Sequence, residues 1–327
     1  MNEHKHSRKT SKRFSHLSLN SEPGVPVYIG DTIAEQTIIT KKVFKNFHWL
    51  HVTGLADIEA IKKIGLTYKL SNYTMEDILN TTEPARIDFD NSNYLFITCE
   101  FLHEGQTEQL AIVMGKEWIL TFHEHKDQFF DSVDKYPPDT PPQLLCAIWE
   151  TLVNHSLNIA DELETNLLEL EDRILKAPSS TDGNSIHEKR SMVQNLKHCS
   201  LPYRDITLQL SSNANPFVDI NLRPRLKNCY ELVISLIDNL DDLRESALSL
   251  MDLYVAALDN HLNLTMRIMA VISTMFIPIT FITGLFGMNF TKPPKITEQG
   301  WGFFAITLFC AAIASIMGLL FKRKHWW

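Results

Sequence analysis

An apolar signal-peptide run is missing from the start of this 327-residue chain. Residues 1–25 are instead polar and basic, with Lys5, Arg8, Lys9, Lys12 and Arg13, and read as a disordered tail. Cysteine is scarce and dispersed. Cys99, Cys146, Cys199, Cys229 and Cys310 have no close ligand spacing, which excludes a disulfide framework or zinc knuckle and fits a reducing compartment. Glycine-rich phosphate loops, a Gly-x-Ser-x-Gly elbow and a His-Glu-x-x-His helix are also absent. The thirteen histidines form no tract, so the sequence predicts no enzyme. The formal net charge of -8 argues against nucleic acid as a partner.

Charge itself is missing from two late stretches, residues 268–291 and 299–321. At about 1.5 Å rise per residue, each is long enough to cross a hydrocarbon core of about 30 Å. Two such stretches side by side are hard to bury in one soluble domain. Lys322, Arg323 and Lys324 follow the second stretch and Arg267 precedes the first, whereas the connecting loop sets Lys292 and Lys295 against Glu298. The positive excess places both ends on the cytoplasmic side of the membrane, and a hairpin brings the large N-terminal part to that side too. Trp301, Trp326 and Trp327 stand where aromatic belts lie.

Alternating strand and helix signals fill residues 25–136. Strands are expected at 47–52, 86–89, 94–101, 109–114 and 118–122, and helices at 57–64 and 75–79, with turns at 91–93 and Gly105. The fold expected is an α+β cytoplasmic domain, a mixed and largely antiparallel sheet with flanking helices. Long helices follow. One spans 144–175 and is rich in acid, a second spans 185–211 after a break at 178–184, and a turn lies at 213–216. A third runs from about Pro224 to Phe286, roughly 90 Å at 1.5 Å per residue, with Pro278 tolerated inside a membrane span. A helix of that length joins a soluble part to the membrane.

This third helix carries two stripes. Val233, Leu236, Leu240, Leu243, Ala247, Leu250, Tyr254, Ala257 and His261 recur at steps of three and four, a seam for partner helices. Asp238, Glu245, Asp252 and Asp259 recur every seven residues on the opposite face, and the same step reaches Met266, Ser273, Thr280 and Gly287. The acidic part alone reads as a solvated face. Its continuation meets small and polar residues inside a span, where such residues face a bundle interior or water. One hairpin cannot enclose a pore, but several copies around an axis can. His123-Glu124-His125 offers no third ligand nearby and reads as a surface strand end, while His48 and His51 read as structural.

The first span ends in Thr283-Gly284-Leu285-Phe286-Gly287-Met288-Asn289-Phe290. This string, followed by a short loop, a second span and a basic aromatic tail, resembles the CorA family of divalent-cation channels. Residues 49–55 (Trp-Leu-His-Val-Thr-Gly-Leu) and 76–80 (Glu-Asp-Ile-Leu-Asn) are similar to the family's N-terminal motifs. The resemblance implies a funnel-shaped homopentamer, each chain with four further copies as partners besides membrane lipid and divalent cations. It implies passive, Mg2+-regulated uptake of Mg2+, also Co2+ and Ni2+, with Mg2+ as both transported and regulatory ion and no other cofactor. A Zn2+ transporter of the same superfamily and a membrane-anchored sensor or scaffold without conduction are the alternatives.

Carried over by motif, the resemblance places a selectivity filter at Gly287, Met288 and Asn289. Pore-lining and gating positions fall on Asn263, Met266, Ile277, Thr280 and Gly284, with Asp252 in the stalk. Regulatory cytoplasmic metal positions fall on Glu76 and Asp77, and their partner acid falls on Asn228, which has lost the charge. The outer loop has Lys295 where many relatives carry an acid. The implied division is a basic tail at 1–24, a cytoplasmic domain at 25–140, an acidic helical hairpin at 141–215 and a stalk helix at 222–267. Transmembrane helices follow at 268–290 and 301–321, joined by an extracytoplasmic loop at 291–300, with a basic cytoplasmic tail at 322–327.

Overall fold

The computed structural model describes residues 27–29, 37–81, 84–90, 93–124, 133, 138–213, 215–288 and 301–323. Asn289 and the loop carrying Lys295 lie outside these residues. The chain divides into two compact units, Met1–Glu169 with Asn184–Ser249, and Leu170–Gly183 with Leu250–Trp327.

The first unit is built on a seven-stranded sheet. Its strands are β1 (Val27–Ile29), β2 (Thr37–Val43), β3 (His48–Thr53), β4 (Arg86–Asp90), β5 (Tyr94–His103), β6 (Gln106–Met114) and β7 (Trp118–His123). Their spatial order is β1-β2-β3-β7-β6-β5-β4. Every pairing is antiparallel except β3 with β7, so the sheet is mixed and mostly antiparallel, as expected. The β5–β6 hairpin is held by a two-residue turn. Glu104 and Gly105 both take positive φ, 47° and 80°, which matches the right-handed twist of the flanking strands.

Alternation assigns the two faces of β5. Leu95, Ile97, Cys99 and Phe101 join one core, and Tyr94 and Phe96 join the other. Both sets are buried, which is why the strand reads as an almost continuous apolar run. The second core packs under α1 (Ile58–Tyr68) and α2 (Asn72–Leu79) through Ile61, Met75 and Ile78. The first packs under α3 (Pro141–Lys176), α4 (Asp182–Ser211) and α5 (Arg223–Phe286) through Trp149, Tyr203 and Cys229. Trp149 Nε1 donates to Thr207 Oγ1 at 2.8 Å and Tyr203 Oη donates to the Glu100 carbonyl at 2.6 Å, so each buried polar tip has a partner.

Several boundaries differ from expectation for identifiable reasons. The helix expected to stop at Ile64 continues to Tyr68, because Gly65 serves packing: a Cβ there would lie 2.1 Å from Met75 Sδ. Asp57 caps that helix by accepting from Ala60 N at 2.9 Å, and Ser71 caps α2 by accepting from Thr74 N at 3.1 Å. The helix expected from Met75 therefore begins at Asn72. Strands β1 and β2 were not foreseen. Lys41 and Lys42 break the apolar signal of β2, although the strand pairs fully with β3.

In the second unit, the expected break at 178–184 is shorter. The Asp182 carboxylate, nearly wholly buried, accepts from Ser179 N at 2.8 Å and from Arg173 Nε at 3.0 Å. It thereby starts α4 three residues early. This unit also holds the end of α5 and α6 (Gly302–Arg323). Both helices are long and apolar enough to cross a membrane, and no residue of their most apolar windows is buried. A soluble core helix of this composition hides its side chains, whereas here Phe276, Phe281, Phe303, Phe304 and Leu308 are all exposed.

Candidate functional site

Helix α5 is one continuous element of 64 residues. Its seam buries Val233, Leu236, Leu240, Leu243, Ala247, Leu250 and Tyr254. Beyond Tyr254 the expected seam does not continue inside a single chain, since Ala257 is half-buried and His261 exposed. The seven-residue stripe behaves differently. Asp238, Glu245, Asp252, Asp259, Met266, Ser273, Thr280 and Gly287 are exposed without exception, as are Asn263, Ile277 and Gly284. A Cβ at Gly284 would meet nothing within 4 Å.

Within the apolar part of α5, hydroxyls bond back to their own helix. Thr274 Oγ1 donates to the Ala270 carbonyl at 2.7 Å and Thr283 Oγ1 to the Ile279 carbonyl at 3.0 Å. Such bonds let threonine reside where water is excluded. The helix closes with Gly287 N donating to the Thr283 carbonyl at 2.9 Å. Of the three expected filter positions, Gly287 and Met288 are described and exposed.

The three expected regulatory positions are not gathered by one chain. Glu76 and Asp77 lie on α2, over one face of the sheet, while Asn228 lies on the part of α5 that packs over the other. Glu76 and Asn228 are exposed. Asp77 is buried, and its carboxylate forms an ion pair with Arg86, whose Nε also donates to Asp88 at 2.6 Å. A metal at Asp77 has to compete with that guanidinium. Among the described residues no three His, Cys, Asp or Glu side chains gather at metal-binding distance. Burial pushes the thiols of Cys146 and Cys229 up to about 12 and that of Cys199 up to about 11, so they stay protonated.

A polar cluster on β3 and β7 has no counterpart among the sequence-based expectations. Parallel register sets His51 opposite Thr121 and Thr53 opposite His123. His51 Nδ1 lies 2.7 Å from Thr121 Oγ1, which also accepts from Trp49 Nε1 at 2.9 Å. The two imidazoles stack with ring centroids 4.9 Å apart. His123, expected at a surface strand end, is fully buried, and its neighbour His125 lies outside the described residues. Desolvation, then His123 and Lys42, hold the pKa of His51 well below its ordinary value, so its ring is neutral at pH 7.

Comparison with known proteins places these features. Residues 44–323 match the family described as CorA-like Mg2+ transporter protein. The cobalt/magnesium transport protein CorA of Thermotoga maritima is 26% identical over 293 residues, covering 85% of this chain and 83% of that protein. The zinc transport protein ZntB of Pectobacterium carotovorum is 25% identical over 220 residues, covering 67% of this chain and 66% of that one. The complete structure of the CorA magnesium transporter from Methanocaldococcus jannaschii superposes with a TM-score of 0.69 over 94% of this chain and all of that one. At 21% identity, that likeness concerns the fold. With the family match spanning most of its length and the same architecture throughout, this chain belongs to the CorA family of divalent-cation transporters.

Proposed function

We propose that the chain is one subunit of a homopentameric channel that passes Mg2+ passively into the cytoplasm, with α5 lining the pore and α6 facing lipid. One observation carries this reading: every member of the seven-residue stripe is exposed, from Asp238 to Thr280 along a single helix and Gly287 just past its end. An ideal helix drifts about 20° per seven residues, so over seven steps the stripe winds by about 140°. Copies that supercoil around a common axis keep such a stripe facing that axis. A closed ring also covers polar positions that hydrocarbon would not accept.

Mg2+ releases its water reluctantly and prefers oxygen partners. The stripe suits a hydrated ion, with carboxylates in the stalk, the Thr280 hydroxyl in the span and the Asn289 amide at the mouth. Met266 and Ile277, both exposed, would form apolar rings that close the path by dewetting. A potential of 100 mV drives a divalent ion with roughly 4.6 kcal/mol, so no chemical energy source is required. Under this reading both termini are cytoplasmic in the inner membrane, and the domain division follows the limits given above.

A zinc-transporting role is the second reading, favoured by the relatives named for zinc. Flux into proteoliposomes separates the readings. Mg2+ and Co2+ are expected to enter faster than Zn2+, and the detergent-purified protein is expected to count five subunits. Faster Zn2+ entry overturns the Mg2+ assignment, and no flux from intact pentamers leaves a sensor or scaffold.

Regulation follows from the same geometry. Glu76 and Asn228 lie over opposite sheet faces of one chain, so a shared ion can bind them only between neighbouring copies. Asn228→Asp is expected to lower the internal Mg2+ concentration that halves flux by about tenfold, as one added carboxylate is worth about 1.4 kcal/mol at such a site. An unchanged inhibition curve removes Asn228 from the site.

A further inference from the structure

On the sheet face that His51 and Thr53 share with Trp49, three donor atoms from β3 and β7 converge. His51 Nε2 and His123 Nε2 are 3.2 Å apart, and Thr53 Oγ1 lies 3.3 Å from the first and 3.2 Å from the second. The centre of a triangle with these edges is about 1.9 Å from each corner. Tetrahedral zinc holds nitrogen at about 2.0–2.1 Å, which sets ligand atoms about 3.3 Å apart. An ion about 0.8 Å off the plane therefore meets all three atoms at bonding distance and keeps a fourth position for water.

Hydrogen bonding alone accounts for the triangle less well. With one nitrogen accepting, the two imidazole nitrogens and the hydroxyl bring at most two protons to three edges, so one edge is left without a proton of its own. A metal satisfies all three atoms at once. The surroundings fit as well. Thr121 Oγ1 engages His51 Nδ1 at 2.7 Å, which aims Nε2 at the triangle, and Trp49 Nε1 fixes Thr121 in turn at 2.9 Å. Metal-bound histidines are oriented this way by a partner on the other ring nitrogen. The two strands pair in parallel register, so the donors sit on the rigid centre of the sheet.

We propose that His51, His123 and Thr53 form a cytoplasmic site for a borderline transition-metal ion of the Zn2+, Co2+ or Ni2+ class. Mg2+ is excluded from it, because a hard ion demands oxygen ligands in octahedral array, whereas imidazole suits the later divalent metals. The site is therefore separate in chemistry from the pore and from the acidic regulatory positions. It would report the transition metals inside the cell against a background of Mg2+.

The test uses full-length protein in detergent, stripped with a chelator and titrated with Co2+ in the presence of millimolar Mg2+. The expected result is one equivalent per chain giving the intense visible d–d absorption of a four-coordinate ion. Co2+ in an oxygen-lined path is six-coordinate and absorbs weakly, so it does not mimic this signal. Zn2+ should displace the Co2+ and bleach the band, while Mg2+ should not. His51→Asn and His123→Gln should each lose the band and weaken Co2+ at least about tenfold, and Thr53→Ala should shift its position. Absence of the band in the unmodified protein overturns the site, whatever the variants do. So does a band that persists in well-folded His51→Asn and His123→Gln. Variants that change only the melting temperature, with identical Co2+ titrations, leave a hydrogen-bonded histidine pair and also overturn it.

Discussion

Thr280→Arg is expected to abolish Mg2+ flux while leaving the pentamer assembled. Thr280 is exposed on α5 and belongs to the stripe that the proposed ring turns towards its axis. A guanidinium about 5 Å from a divalent ion raises its energy by about 1.7 kcal/mol even at the dielectric of water. Five copies bring the barrier to about 8 kcal/mol, a loss of more than about 10⁵-fold in rate. Phe281, the next residue, is 69% exposed and turned away from the stripe by one helical step. Phe281→Leu should keep flux within about twofold, since lipid accepts either side chain. Flux through proteoliposomes carrying pentamers of each variant decides the matter. Equal loss at both positions would mean that the span merely tolerates no change, and retained flux in Thr280→Arg would remove the stripe from the pore.

How far the sequence carries depends on the kind of constraint. The long helix was legible because its period is local. Val233 to Tyr254 repeat at three and four residues, and those residues are the ones buried. The seven-residue step of the stripe is as local as the seam, and its eight positions are exposed along with every residue from 259 to 270. Strands β5 to β7 announced themselves as apolar runs bounded by turn residues. Strand β2 did not, because Lys41 and Lys42 interrupt it and only pairing with β1 and β3 makes it a strand.

The His51–Thr53–His123 triangle was illegible for a deeper reason. It depends on a parallel pairing between strands about seventy residues apart, with α1, α2 and three strands between them. No local pattern encodes which residues such a register brings opposite each other. The ion pair of Asp77 falls in the same class. The motif around it marked Asp77 as a metal carboxylate, but only the fold of β4 beside α2 reveals the cation already on it.

Arg86→Met is therefore expected to lower stability strongly, because it strips the paired cation from Asp77. The Asp77 side chain is only 7% exposed, and its partner Arg86 is 29% exposed. Removing the cation leaves a buried carboxylate poorly compensated, which costs about 3 kcal/mol, at the lower end for buried pairs because Arg86 is partly solvated. In a unit of this size that lowers the melting midpoint by about 6–12 °C. Asp88→Ala removes only the exposed contact of Arg86 and should cost under about 1 kcal/mol. Adding Asp77→Asn to Arg86→Met should recover part of the loss, because the uncompensated charge is gone. Mg2+ then discriminates between the two roles of Asp77. If its carboxylate can serve a regulatory ion once Arg86 has left, millimolar Mg2+ should raise the midpoint of Arg86→Met more than that of the unmodified protein, by ligand linkage. If Mg2+ shifts both equally, Asp77 is a structural anion, and Glu76 alone remains for the regulatory ion on that face.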